Sequence, residues 1–137
     1  MHLKELGKCI SSKLKNGNTL IDMKNWIHDN MDLIDYKKYV QYKEDTYNRN
    51  IVWKDENIEV VVISWMANQD SPIHNHTRGG CLFRVLEGIL DEHLYTTQDI
   101  KYKTYSNKNG FAYIHNYIGT HKMLPKQNTI SLHIYAS

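Results

Sequence analysis

The first third of the chain carries apolar residues at the spacing of amphipathic helices. A first helix is predicted by apolar residues that recur every three or four positions, the period of one helix face: Leu3, Leu6, Ile10 and Leu14. After the turn segment 16–18, Thr19 has the character of an N-cap, which predicts the start of a second helix. Its apolar face is formed by Leu20, Met23 and Ile27. A short third helix is predicted within residues 32–42.

From about residue 45 the pattern changes to short runs of β-branched and aromatic residues, separated by Asn, Asp, Gly and Pro. Such runs are typical of successive β-strands. The predicted strands are 46–53, 58–66, 81–87, 89–96, 101–106, 111–114 and 129–135. Gly88 separates two of them and marks a tight turn, because glycine accepts a positive φ without steric penalty. This series favours a mainly β sandwich or barrel with the helices packed outside.

Length and composition narrow the class of protein. A chain of 137 residues is long enough for one hydrophobic core, so we expect a single domain with a helical part over 1–44 and a barrel over 45–137. With 41% hydrophobic and 23% charged residues, the chain has the composition of a globular protein rather than a disordered one. The net charge is only +2 and neither sign is clustered, which argues against nucleic acid or an anionic membrane as partner.

Two residue types are scarce enough to matter. The two cysteines, Cys9 and Cys81, are too few for a disulfide framework, and no leader or membrane-spanning run is visible. We therefore expect a cytoplasmic protein, a monomer whose partners are small molecules. Arginine occurs three times against fourteen lysines, so Arg49 is unlikely to be a casual surface charge.

The segment His74-Asn75-His76 is the first feature with a chemical implication. Residues two apart on an extended segment project to the same side, so both imidazoles can face one metal ion. A chance pair of surface histidines is the alternative, since the chain has eight histidines. The spacing to later residues distinguishes the two interpretations.

That spacing resembles the two motifs of the cupins, which are double-stranded β-helix proteins. Four residues separate His76 from Cys81 and six more precede Gly88, so Cys81 stands where a cupin has its acidic ligand. In the second motif, His121 is the eleventh residue after Gly110. The resemblance implies a metal held by three histidines: His74, His76 and His121. His93 and His115 are the other candidates for the third ligand, but they do not fit the spacing.

A cupin with three histidines and a cysteine in place of the acid resembles the cysteine dioxygenases. Segment 47–50 (Y-N-R-N) is similar to that family's Y-x-R-N, and segment 71–77 (S-P-I-H-N-H-T) to its S-x-I-H-D-H-T. Segment 131–135 (S-L-H-I-Y) is similar to its S-L-H-L-Y. The segments follow one another in the family's order, and the resemblance extends over roughly residues 47–135.

The resemblance implies a chemistry that the residue types can support. Three neutral imidazoles suit Fe(II), leave its positive charge uncompensated and keep coordination positions open for an anionic thiolate and O₂. The family's substrate is L-cysteine, bound through sulfur and nitrogen, and both oxygen atoms add to sulfur to give a sulfinic acid. Arg49 would bind the substrate carboxylate, because a guanidinium forms two parallel hydrogen bonds to it. The Tyr47 hydroxyl would join that contact.

Ser131, His133 and Tyr135 alternate along one predicted strand, so they share a face and can form a chain of hydrogen bonds. By resemblance, this chain orients the Tyr135 hydroxyl towards the substrate. The resemblance also implies a thioether cross-link between Cys81 and the Tyr135 ring. Trp65, at the end of an apolar run, is interpreted as a core residue.

Two other functions remain open from the sequence. The protein could oxidise another small thiol, such as 3-mercaptopropionate, or it could be a cupin that binds a metal or small molecule without catalysis. The chain ends two residues after Tyr135, where members of the family continue. We therefore expect a more open site, with reduced activity or a broader range of thiols.

Overall fold

The structure is a computed structural model that describes residues 1–72, 78–96, 101–107, 110–114 and 120–137, with 101–107 described as backbone alone. Two helices come first, α1 (Leu3–Lys15) and α2 (Lys24–Asn30), followed by a 3₁₀ turn at Tyr36–Tyr39. The strands are β1 (Asn48–Lys54), β2 (Ile58–Trp65), β3 (Cys81–Glu87), β4 (Leu90–Tyr95), β5 (Lys101–Asn107), β6 (Phe111–Ile114), β7 (Thr120–Pro125) and β8 (Thr129–Ala136).

The strands form two sheets. One sheet has five strands in the order β1-β2-β8-β3-β6, and the other has three in the order β5-β4-β7. Every pairing within them is antiparallel. Because β8 lies between β2 and β3, the end of the chain is held in the middle of the larger sheet.

Each face of the larger sheet packs against a different layer. On one face, Val60 and Val62 of β2 join a buried cluster with the apolar residues of α1 and α2. On the other face, Val61 and Ile63 join a cluster that also contains Leu90 of β4 and Met123 of β7. This second cluster fills the space between the two sheets. Burial on both faces explains why β2 is an almost continuous apolar run instead of alternating apolar and polar residues.

The predicted elements match the structure except in three places. The third helix is only the 3₁₀ turn at Tyr36–Tyr39, and α2 begins at Lys24. Thr19 hydrogen-bonds Asp22 within a turn that precedes α2. Strand β7 was not predicted. Its inward positions are His121, Met123 and Pro125, so it lacks the β-branched and aromatic alternation that identifies a half-buried strand.

Gly88 has the conformation expected for the turn between β3 and β4, with a φ of +87°. A side chain there would also collide with the segment that precedes β8, because a Cβ atom would lie 2.5 Å from the backbone oxygen of Asn128. The turn therefore requires glycine both for its φ and for the close approach of the segment before β8.

Candidate functional site

A cavity of about 340 Å³ has walls from both sheets. This volume lies at the small end of the roughly 300–1,000 Å³ that ligand pockets span, and so suits a small molecule. Five residues predicted from the sequence line it: Tyr47, Arg49, His121, His133 and Tyr135. Two further predicted residues, Cys81 and Ser131, are buried beside members of that set. His74 and His76 lie outside the described residues.

His121 reaches the cavity from β7 and is held by a glutamate that the sequence interpretation missed. Its Nδ1 atom lies 2.7 Å from an Oε2 atom of Glu92 on the adjacent strand β4. Both side chains are almost fully buried, with 3% of His121 and 4% of Glu92 exposed. A carboxylate only accepts hydrogen bonds, so Nδ1 is the ring nitrogen that donates, and a metal would be bound by Nε2.

The alternation along β8 produces the predicted chain of hydrogen bonds. The Ser131 hydroxyl lies 2.7 Å from Nε2 of His133, and the Tyr135 hydroxyl lies 3.4 Å from Nδ1 of the same ring. The hydrogen-bond network has one more member than predicted, because the indole N–H of Trp65 donates to Ser131 Oγ over 2.8 Å. All four side chains are thereby held in one network that ends at the cavity.

Trp65 therefore does more than fill the core. It is 1% exposed, as expected for a core residue, yet it also lines the cavity. The ring of Tyr47 stacks on it with centroids 4.5 Å apart. This stacking fixes the position of Tyr47 beside the cavity, and the aromatic pair forms part of its wall.

Arg49 is neither buried nor simply solvated. Its Nη2 atom donates to Oε1 of Glu59 over 2.9 Å, and its guanidinium lies 5.5 Å from the ring centroid of Tyr135. Some 43% of its side chain is exposed. Burial alone would lower the pKa of Arg49, but the interactions with Tyr135 and Glu59 outweigh it and raise that pKa. Arg49 is thus a permanent positive charge at the cavity, already engaged by a carboxylate.

Cys81 and Tyr135 stand directly opposite each other in the pairing of β3 with β8. Directly opposed residues of an antiparallel pair have Cβ atoms roughly 4.5–5.5 Å apart, so the two side chains are neighbours on one face. Burial raises the pKa of the Cys81 thiol, and it is also the main cause of the raised pKa of Tyr135. Both groups are therefore neutral at physiological pH.

One of the three predicted metal ligands can be assessed in the structure. His121 fits that role, because a buried imidazole with one nitrogen held by a carboxylate is the usual form of a metal-binding histidine. Within the described ranges, no group of three His, Cys, Asp or Glu side chains is close enough to bind a metal ion. His93 alternates with Glu92 and Leu94 on β4 and so faces away from His121. His115 lies outside the described residues.

A family model described as "Cysteine dioxygenase type I" matches residues 12–137. The chain belongs to the cysteine dioxygenase family. Human cysteine dioxygenase type 1 is 31% identical over 112 residues, which cover 74% of this chain and 54% of the human protein. The zebrafish (Danio rerio) protein of the same name is 27% identical over 114 residues, 74% of this chain and 57% of the other. The chain spans about half the length of these curated relatives.

Solved structures agree with the predicted fold. An RmlC-like cupin protein from Desulfovibrio desulfuricans superposes with a TM-score of 0.60 at 19% identity, covering 78% of this chain and 97% of the other. A Klebsiella pneumoniae protein with a double-stranded β-helix domain gives 0.62 at 19% identity, covering 76% and 83%. The cupin fold predicted from the sequence is confirmed. Among the described residues, no helix is long and apolar enough to cross a membrane.

Two carboxylates of this cysteine dioxygenase family member were missed by sequence reasoning. Glu92 stands between Leu90 and Leu94 at the inward positions of β4, where an acidic residue needs a buried partner. That alternation was a usable signal. Glu59 gave no such signal, because a glutamate near the start of a strand usually faces solvent.

Proposed function

We propose that the protein is a mononuclear non-haem iron thiol dioxygenase that converts L-cysteine and O₂ into cysteine sulfinate. The observation that carries the proposal is the arrangement of Arg49 and His121 on one small cavity with the Trp65–Ser131–His133–Tyr135 network beside them. Membership of the cysteine dioxygenase family supports it. A carboxylate-binding cation and a metal-binding imidazole on the same cavity match the two ends of a small thiol acid.

An iron ion would be held by His74, His76 and His121. Bound Fe(II) would supply a positive charge that stabilises the thiolate and a redox-active centre for O₂. The donor chemistry of His121 fits that ion, since imidazole is a preferred ligand of Fe(II). The reaction balances without a further reductant. The thiolate sulfur gains both oxygen atoms and loses four electrons, which are the four that O₂ takes up.

The protein's own residues bind and orient the substrate. Arg49 binds the carboxylate of cysteine through its guanidinium, and the hydroxyl of Tyr47 contributes to that contact. The Tyr135 hydroxyl donates a hydrogen bond at the substrate, and Ser131 and His133 hold it in place. Because burial keeps the Tyr135 phenol protonated, it acts as a donor rather than as a base.

Cys81 and Tyr135 form a thioether as a further part of this proposal. Their opposed positions on β3 and β8 supply the proximity that such a bond needs. Joining the sulfur to the ring carbon removes one hydrogen from each partner, and O₂ takes up these two hydrogens with their electrons to become hydrogen peroxide. Intact-mass spectrometry after turnover with iron and cysteine should show the loss of two hydrogen atoms, and Cys81→Ser should abolish that loss. An unchanged mass after extensive turnover excludes the cross-link.

Oxygen uptake by the iron-loaded protein tests the main proposal. Addition of L-cysteine should start O₂ consumption and yield a product with two added oxygen atoms by mass spectrometry. A higher kcat and a lower KM for 3-mercaptopropionate than for L-cysteine would instead identify the substrate as a thiol acid without an amine. Iron binding without O₂ consumption with either thiol would contradict enzymatic function and leave a binding cupin.

A further inference from the structure

Glu92 and His121 form a polar pair whose described inward neighbours on their own strands, β4 and β7, are apolar. The inward neighbours of Glu92 on β4 are Leu90 and Leu94, and Met123 follows His121 on the inward face of β7. These three neighbours belong to the cluster between the sheets. A carboxylate and an imidazole buried there have exchanged hydration for contacts within the protein, among them the short one between Nδ1 and Oε2.

Stability gives no reason for such a pair. Replacing a buried ionic or hydrogen-bonded pair by apolar side chains of similar volume is often neutral or stabilising, so an apolar pair would suit this part of the core at least as well. What the carboxylate does is restrict the imidazole. It selects the protonated nitrogen and fixes the rotation of the ring about its χ angles, and His121 lines the cavity in that orientation.

We propose that Glu92 is a positioning residue for the metal, holding His121 so that Nε2 faces the iron and placing a carboxylate directly behind this ligand. This inference rests on the proposed function for the identity of the metal. It also gives a chain with Cys81 at the position of the acidic cupin ligand a carboxylate that contacts a histidine ligand and does not bind the metal itself.

The substitution Glu92→Gln tests this inference, because it keeps the size of the side chain and removes its charge. Asp91→Asn is the matched control. Asp91 is the preceding residue on β4 and forms an ion pair with Lys126 at 3.3 Å. Both variants should retain the wild-type circular dichroism. Glu92→Asp keeps the charge on a shorter side chain and serves as the conservative variant, including where Glu92→Gln does not fold.

Metal binding is measured with Fe(II) without oxygen and with Co(II), whose visible absorption reports the geometry of its ligands. Glu92→Gln should lower the affinity for both metals by about 10–100-fold and alter the Co(II) absorption bands. Asp91→Asn should match the wild type and Glu92→Asp should lie between. Wild-type affinity and bands in Glu92→Gln would overturn the inference, as would equal losses in Glu92→Asp and Glu92→Gln.

The same experiment separates this inference from the proposed function. A wild-type protein that binds neither Fe(II) nor Co(II) overturns both. Metal binding that depends on Glu92, combined with no O₂ uptake in the presence of any small thiol, upholds the positioning role and contradicts the dioxygenase. Dioxygenase activity with metal affinity unaffected by Glu92→Gln upholds the function and contradicts the positioning role.

Discussion

The cavity has two carboxylate contacts of opposite character. On what we call the buried wall, formed by the cavity-lining His121 with Glu92 and Cys81 behind it, 3% of the His121 side chain and 4% of the Glu92 side chain are exposed. On what we call the rim, formed by Arg49, Lys54 and Glu59, the contact between Arg49 and Glu59 leaves 43% and 21% of the two side chains exposed. The distances are nearly the same, 2.7 and 2.9 Å.

Solvent makes these contacts different in strength and in use. A partly exposed ion pair contributes about 0–1 kcal/mol, since water and salt screen it. Under the proposed function, a substrate carboxylate would therefore take the place of Glu59 on Arg49 at small cost. The buried carboxylate is not exchanged so easily, because removing it takes away the acceptor at Nδ1 of a buried imidazole. The contact in the buried wall is therefore expected to stay fixed, whereas under the proposed function the rim would exchange one carboxylate for another.

The largest expected effect is at the buried wall. His121→Ala should abolish iron retention, since it removes a ligand that two rigid strands position. Metal analysis of the purified protein measures this directly. His93→Ala is the control, because its side chain lies on the other face of β4. Unchanged iron stoichiometry in His121→Ala would move the third ligand to His115.

At the rim, Arg49→Ala should leave iron bound and weaken cysteine binding. The loss of a charge-assisted hydrogen bond to the carboxylate costs about 1.5–3 kcal/mol, so KM should rise about 10–100-fold. Cysteamine, which has the thiol and amine of cysteine but no carboxylate, should show no such rise. A similar increase for both thiols would mean that Arg49 acts through the structure of the site and not through the carboxylate.

The buried wall also predicts how stability depends on pH. Burial raises the pKa of Cys81, so the folded state keeps the thiol proton that the unfolded chain releases above about pH 8.5. Stability from this group is complete below that pH and is lost as the pH rises further. Between pH 8.5 and 9.5 the loss should be about 1 kcal/mol. Urea unfolding of the iron-free protein measures it, and Cys81→Ala should show a smaller decline.

The sequence predicted strands well where an apolar run and the residue that ends it were both recognisable. The boundaries of β3 were predicted because apolar runs end at Gly88, whereas β7 was missed because its inward positions hold His121 and Pro125. In the candidate site, residues within short motifs were predicted and their carboxylate partners were not. Glu92 is 29 residues from His121 and Glu59 is 10 from Arg49. Such contacts depend on strand register, which composition and periodicity do not specify.

The smallest expected effect tests whether the rim exchanges carboxylates. Glu59→Gln removes the competitor of the substrate while Arg49 and Lys54 keep their charges. From the 0–1 kcal/mol of an exposed pair, KM for L-cysteine should fall by up to about 5-fold, and KM for cysteamine should not fall. The difference between wild type and variant should shrink at high salt. A higher KM for cysteine would mean that Glu59 positions Arg49 for the substrate, and the rim would then resemble the buried wall in being fixed.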